Sequence, residues 1–199
     1  MRLGASDPVP SRPELKSFCE KMDGLGLRKY IIERPKERTA IRVEVADAFK
    51  DAPNPALMVL DALDGFCGLG SDSELIALRR AYVVLLEELM QARVEIAAEA
   101  KERARTVATV WKGKMTVVSG VNDGDEENRE KESLEKLGYL LLLATYWMVS
   151  DGGYDVNELV DYAVVVAKYG QAVDLFRVLG FGDRISGKLL VCVDLISLR

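Results

Sequence analysis

The sequence contains no histidine. Histidine is the side chain most often used as a general base near neutral pH, and its imidazole is the commonest metal ligand in proteins. Its absence removes every Ser-His and Cys-His nucleophile pair from consideration. Carboxylate, lysine and tyrosine chemistry stays open, but we find no catalytic motif. The sequence therefore predicts a protein that is not an enzyme, with no cofactor and no metal site.

Cysteine is also scarce. Cys19, Cys67 and Cys192 are odd in number and widely separated, so they form neither a disulfide framework nor a CxxC metal clip. This usage predicts a reducing, intracellular compartment. The first fifteen residues contain no apolar stretch of the kind found in secretory signals, and we expect none in this chain.

Long hydrophobic runs and excess positive charge are missing too. The longest apolar run, 137–149, is interrupted by Gly138 and Thr145 and is shorter than the roughly 18 residues that span a bilayer. Lys and Arg number 27 against 32 Asp and Glu, giving a net charge of -5. The basic cluster at 28–38 is diluted by acids and is interpreted as a solvated face. We therefore expect no membrane partner and no direct nucleic-acid partner, and we expect protein partners rather than a small-molecule substrate.

What the chain does contain is helix-forming sequence. Hydrophobic residues make up 49% of the chain, and strong helix formers dominate long windows. Helical periodicity interrupted by short Gly, Pro and Asp turns predicts an all-α fold of about eight or nine helices. No fixed repeat is found, so the prediction is an irregular antiparallel helical array or an α-solenoid. The apolar run at 137–149 is predicted to be a central, fully surrounded helix.

Several local signals predict where helices begin and how they pair. Asn54 is a good N-cap before Pro55, and Asp155 with Glu158 resembles a capping box. Arg79 falls inside the apolar face of its helix, which predicts a buried or half-buried ion pair with an acid from another helix.

The predicted domain organisation has three parts. Residues 1–13 are expected to be extended because they contain three prolines. Residues 14–199 are expected to form one helical domain, and the acid-rich segment 119–132 is expected to be a mobile loop between two helical halves. Within that domain, Gly24 and Gly26 are expected to separate the first helix from a second helix at about 27–34.

A glycine-rich stretch, LDGFCGLGSDSE at 63–74, raises an alternative. Nucleotide binding or catalysis would use the loop Gly65–Gly70, but its glycine spacing reverses the dinucleotide fingerprint and follows a helix rather than a strand. The favoured interpretation is a helix exit, a connector and a new N-cap at Ser71 or Ser73. Asp61 and Asp64, which precede the loop Gly65–Gly70, are interpreted as the solvated edge of a buried helix.

The candidate partner-binding residues are aromatic or apolar. Tyr162, Val165 and Tyr169 form a stripe opposite the main apolar face of their helix, and both packing against the next helix and binding a foreign helix stay open. Trp147 is the fourth candidate. Together with Trp111 and Tyr146 it can either anchor a partner or pack in the core.

The ordered set of helical segments resembles FRIGIDA and FRIGIDA-like plant proteins over about residues 14–185. The resemblance is carried by LKSFCEKMDGLGLRKYI at 15–31, NPALMVLDALDGF at 54–66, RRAYVVLLEEL at 79–89, AKERARTVATVWKGKM at 100–115 and the long segment 137–185. The last of these contains GQAVDLFRVLGF, the most specific piece. The final residues, 186–199, match the family poorly.

The resemblance implies the central helical domain of a non-enzymatic nuclear scaffold. Such a scaffold belongs to a transcription-activating complex that raises expression of a floral repressor, so that flowering waits for cold. Its implied partners are a zinc-finger DNA-binding protein, coiled-coil proteins and chromatin factors, and its implied location is the nucleus. Family members are longer, so the chain is expected to be an isolated central domain. A general helical adaptor unrelated to flowering is the other alternative.

Overall fold

The computed structural model describes residues 12–64, 71–118, 126–148 and 154–167. Over these ranges the fold is all-α, without a strand, as predicted. The eight helices are α1 Pro13–Glu20, α2 Gly24–Glu33, α3 Arg38–Ala48, α4 Pro55–Ala62, α5 Asp72–Ala92, α6 Ala98–Val118, α7 Glu126–Thr145 and α8 Val156–Ala167, with short 3-10 turns at Pro35–Glu37 and Phe49–Asp51. None of these helices is both long and apolar enough to cross a membrane.

The centre of the fold is the pair α5 and α7. Helix α5 also packs on α2, α3 and α4, whereas α7 packs on α6 and α8. Residues 139–144 of α7 are all buried, so the prediction of a central, surrounded helix is confirmed. The two long helices thus join an N-terminal group, α1 to α4, to the C-terminal helices.

The predicted ion pair of Arg79 is confirmed. Its side chain is buried in α5, and Nη2 lies 3.0 Å from Oε1 of Glu135 on α7. Nη1 donates to the carbonyl oxygen of Lys131 at 2.9 Å. The central helix pair is therefore held by a buried charge pair as well as by apolar packing.

Two of the predicted helix starts are formed by the predicted caps. The Asn54 side chain accepts from the Leu57 N–H at 3.1 Å, and Pro55 is the first residue of α4. Ser71 caps α5, and Glu74 completes the capping box by accepting from the Ser71 N–H at 2.9 Å. Hydroxyl, amide and carboxylate side chains satisfy the donors that a helix start leaves open.

Two predicted boundaries differ from the structure. Helix α2 begins at Gly24, because Asp23 caps it by accepting from the Gly26 N–H at 2.8 Å. Helix α7 begins at Glu126, inside the acid-rich segment 119–132, so part of that segment is helical rather than a loop. Acidic side chains favour the first turn of a helix, because they complement its dipole. Residues 1–11, 119–125 and 168–199 lie outside the described residues, and the domain organisation stays a prediction.

The α3–α5 contact predicts an unusual pH dependence of folding. Arg42 on α3 contacts two adjacent acids of α5, with Nη2 2.8 Å from Oε2 of Glu87 and Nε 2.9 Å from Oε1 of Glu88. Burial raises the pKa of both carboxyl groups above the ordinary value of 4.5, and Arg42 opposes the rise. A carboxyl with a higher pKa in the folded state binds its proton more tightly there, so this contribution to stability grows as pH falls toward 4.5 and is lost as pH rises through the folded pKa.

We therefore expect the free energy of unfolding, measured with urea at several pH values, to rise when the pH is lowered from 7 to about 5. The variant Glu87→Gln should show a flatter profile. Glu102→Gln, at an exposed position of α6, serves as the control and should keep the wild-type slope. A steady loss of stability from pH 7 downward in the wild type would contradict the expectation.

Candidate partner-binding site

The end of α7 turns the chain through a left-handed residue. Trp147 has φ 55°. Its N–H donates to the carbonyl of Ala144 at 3.1 Å, and the Met148 N–H donates to the carbonyl of Leu143 at 3.0 Å. These two bonds form a Schellman motif, in which the left-handed position usually holds glycine. A tryptophan there costs about 1–2 kcal/mol of backbone strain.

Trp147 is exposed although both of its neighbours are buried. Its side chain has a relative accessibility of 61%, whereas Tyr146 and Met148 are fully buried. Thr145 is also buried. The left-handed turn therefore points a large indole outward between anchored residues.

Hydrogen bonds tie this corner to two other helices. The Tyr146 hydroxyl donates to the carbonyl of Ala56 in α4 at 2.7 Å, and the Thr145 hydroxyl donates to the carbonyl of Leu86 in α5 at 3.3 Å. Burial raises the pKa of Tyr146, so the hydroxyl keeps its proton. The backbone that carries Trp147 is thus fixed against the centre of the fold, which lowers the entropy cost of presenting the indole to a partner.

Tyr162, the first residue of the predicted stripe, is half-buried and packs within the fold. Its ring meets Tyr139 of α7 edge to face, with ring centroids 6.1 Å apart. Its hydroxyl donates to Oε1 of Glu158 at 2.6 Å, and Lys112 of α6 donates to Oε2 of the same carboxylate at 2.6 Å. Burial and the hydrogen bond to Glu158 raise the pKa of Tyr162. This cluster joins α6, α7 and α8.

Because Glu158 belongs to this cluster, the start of α8 differs from the predicted capping box. Asp155 accepts from the Asn157 N–H at 2.9 Å and acts as the cap, but Glu158 binds Lys112 and Tyr162 in the contacts given above. Val165 lies in α8 with a side chain outside what the structure describes, and Tyr169 lies outside the described residues. Partner binding by Tyr162, Val165, Tyr169 and Trp147 stays a prediction. Of the two whose side chains the structure describes, Trp147 is more exposed to solvent than Tyr162.

The other aromatic candidates are in the core. Trp111 is 1% exposed and meets Tyr139 at a centroid distance of 6.1 Å, and Tyr146 is fully buried. The large apolar side chains exposed elsewhere in the described residues are aliphatic: Leu25, Val43 and Val110. Sequence periodicity did not single these out, because isolated exposed aliphatic side chains are normal on protein surfaces.

Residues on both sides of the alternative nucleotide-binding loop, Gly65–Gly70, make contacts within the fold. Arg28 of α2 donates to the carbonyl oxygens of Ala62 at 2.8 Å and Asp64 at 2.5 Å, so it satisfies the end of α4. Asp61 pairs with Arg103 of α6 at 2.5 Å. The helix exit and the Ser71 cap are as predicted, while Gly65–Gly70 lies outside the described residues.

Cys19, the cysteine within the described ranges, is not placed for thiolate chemistry. Cys19 is buried, and burial raises its pKa to about 12, which keeps it a thiol at neutral pH. Cys67 and Cys192 lie outside the described residues. In the part of the chain that the structure describes, no group of three Cys, Asp or Glu side chains is placed to hold a metal ion.

The left-handed turn gives a prediction about Trp147 itself. Trp147→Gly removes the backbone strain of about 1–2 kcal/mol, which stabilises the folded state. The greater conformational freedom of glycine in the unfolded chain offsets part of this gain. We expect its free energy of unfolding in urea to equal or exceed that of the wild type by up to about 1 kcal/mol. Trp147→Ala keeps the Cβ atom and the strain, and should be the less stable of the two variants. The reverse order would contradict the backbone strain at this position, and a Trp147→Gly variant less stable than the wild type would show that the indole packs on the fold.

Comparison with models of known protein families gives a match that covers most of the chain. A family model described as "Frigida-like protein" matches residues 7–194. This chain belongs to the Frigida-like protein family. The resemblance found in the sequence is thereby confirmed. The matched range contains all eight described helices.

Three FRIGIDA-like relatives from Arabidopsis thaliana show how far the similarity extends. The chain is 35% identical to "Truncated FRIGIDA-like protein 1" over 89% of its own length and 59% of the relative's. It is 34% identical to "Inactive FRIGIDA-like protein 2" over 92% of the chain and 39% of the relative, and 34% identical to "FRIGIDA-like protein 1" over 89% and 35%. This FRIGIDA-like chain thus spans less than two thirds of these relatives. No solved structure matches it.

Proposed function

We propose that the chain is a non-enzymatic scaffold domain of a plant nuclear complex that activates transcription and thereby controls flowering time. It acts through contacts with other proteins. The family membership supports the flowering context, since the relatives named above are FRIGIDA-like proteins of a plant. The observation that carries the protein-binding role is the fixed, exposed indole of Trp147.

The physical argument for a binding role starts from strain. A tryptophan in a left-handed turn is costly, and a residue that is 61% exposed gains little packing energy in return. Tryptophan is also among the side chains enriched at the energetic centres of protein interfaces. A residue that stabilises a complex rather than the free fold accounts for both features.

The proposed partners follow the family resemblance: a zinc-finger DNA-binding protein, coiled-coil proteins and chromatin factors. The net charge of -5 favours a division of labour in which another subunit contacts DNA. A nuclear location is part of the proposal.

Affinity purification from plant nuclei tests the function. The tagged wild-type chain should enrich identified zinc-finger, coiled-coil and chromatin proteins, whereas Trp147→Gly should lose them while remaining folded. Val110→Ala changes an apolar side chain that is 51% exposed on α6 and should keep them. An absence of transcription and chromatin proteins from the wild-type sample would refute the function, and an unchanged Trp147→Gly sample would refute the site.

A further inference from the structure

The part of the chain that presents Trp147 carries no basic residue. From 137 to 167 the sequence contains no Lys or Arg, whereas it contains Asp151, Asp155, Glu158 and Asp161. The last turn of α7 therefore lacks the basic side chains that often offset the partial negative charge of a helix C-terminus. This end of the central helix favours a cation.

The start of α8 adds an acid beside the same corner. The Tyr154 hydroxyl donates to Sδ of Met148, the residue after Trp147, at 3.7 Å. Asp155, next to Tyr154 in the chain, is exposed, and its carboxylate accepts from the Asn157 N–H at 2.9 Å. A backbone N–H leaves the negative charge of the carboxylate in place.

The exposed indole is suited to a cation as well as to an apolar contact. Trp147 is 61% exposed, and the ring face of tryptophan attracts ammonium and guanidinium groups more strongly than that of any other side chain. Arg103 of α6 lies close enough to act on Tyr146, but it pairs with Asp61 at 2.5 Å, so its charge is already balanced. The corner thus combines an aromatic face with a surrounding negative charge.

We propose that Trp147 binds a lysine or arginine side chain from a basic segment of the partner protein, with the cation placed over the indole ring. This inference rests on the proposed function, because it names the chemistry of the partner that Trp147 anchors. The net charge of -5 attracts such a segment, and the C-terminal end of α7 stabilises its cation beside the ring. An apolar side chain packed on the indole is the competing occupant.

Fluorescence anisotropy with two labelled peptides tests the preference for a cation. One probe is Gly-Gly-Arg-Gly-Arg-Gly-Gly, and the other carries citrulline, the neutral counterpart of arginine, at both positions. The arginine probe should bind the wild-type chain saturably and more tightly than the citrulline probe. Trp147→Leu keeps an apolar side chain and should weaken binding of the arginine probe about two- to fivefold. Val110→Ala, at a position 51% exposed on α6, should bind it like the wild type.

Fluorinated tryptophan separates a cation from an apolar occupant. In the variant Trp111→Phe, Trp147 is the one remaining tryptophan, so mono-, di- and trifluorinated tryptophan change this ring alone. Fluorine withdraws electron density from the ring face and changes the ring size little, so binding of the arginine probe should weaken with each added fluorine. Equal or tighter binding along the series would overturn the proposal, because fluorine makes the ring more apolar.

A second comparison does not depend on replacing Trp111. In the otherwise wild-type chain, Trp147→Phe keeps an aromatic face and should bind the arginine probe more tightly than Trp147→Leu. Equal binding by these two variants at equal thermal midpoints, or the absence of saturable binding to the wild type, would contradict the cation site.

Failure of this inference and failure of the proposed function give different results. If Trp147→Gly loses its nuclear partners while the arginine and citrulline probes bind equally, the cation site is refuted and the function stands. If binding of the arginine probe falls with fluorination but the chain enriches no transcription or chromatin proteins, the cation site stands and the function is refuted.

Discussion

Glu135→Ala is expected to lower the free energy of unfolding by about 3–5 kcal/mol. Glu135 contacts Arg79 between the two central helices, and the two side chains are only 14% and 7% exposed. Removal of the acid leaves the buried guanidinium without its opposite charge, and water cannot replace the lost carboxylate there. Urea unfolding monitored by circular dichroism measures the effect.

Two controls separate the buried charge from simple loss of a side chain. The double variant Arg79→Met with Glu135→Leu replaces the pair by apolar groups of similar size and should recover most of the stability. Glu102→Ala removes the partner of Arg105 in an exposed pair on α6 and should change stability by less than about 0.5 kcal/mol. A cost below about 1 kcal/mol for Glu135→Ala would mean that solvent reaches the pair.

Gly24→Ala is expected to destabilise the protein by about 2–3 kcal/mol, although alanine is the better helix former. A Cβ atom at Gly24 would lie 2.2 Å from the carbonyl oxygen of Met58 and 2.9 Å from the amide nitrogen of Ala62. Both contacts are with the backbone of α4, which cannot move aside as a flexible side chain can. Helices α2 and α4 must therefore separate.

Gly113→Ala is the matched control, because a Cβ atom there meets nothing within 4 Å. This variant should be more stable than the wild type by about 0.5–1 kcal/mol, since alanine loses less entropy in a helix. The two glycine variants should thus differ in sign under identical urea conditions. A stabilising Gly24→Ala would contradict the close approach of α2 and α4.

Helix caps and one ion pair show what sequence can predict about this fold. The Asn54 cap, the Ser71 cap and the charge partner for Arg79 follow from short-range rules that the structure obeys. Such signals involve only a few neighbouring residues or one helix face. Gly24 was expected to break a helix because glycine lowers helix propensity, but packing against α4 requires a residue without a side chain.

The candidate site was only partly predictable for a related reason. Periodicity places Trp147 in an apolar run with Tyr146 and Met148, and all three have the character of core residues. Its exposure depends on a left-handed turn, which the sequence does not signal, since glycine is the usual residue at such a position.

The most direct test of the central claim uses the two tryptophans of the chain, Trp111 and Trp147. In the variant Trp111→Phe, fluorescence comes from Trp147 alone and should be quenched strongly by acrylamide in the free protein. Addition of the partner complex purified from plant nuclei, labelled throughout with a non-fluorescent tryptophan analogue, should shift the emission to the blue and protect it from acrylamide. A complex that forms with unchanged emission and unchanged quenching would contradict the claim that Trp147 anchors the partner.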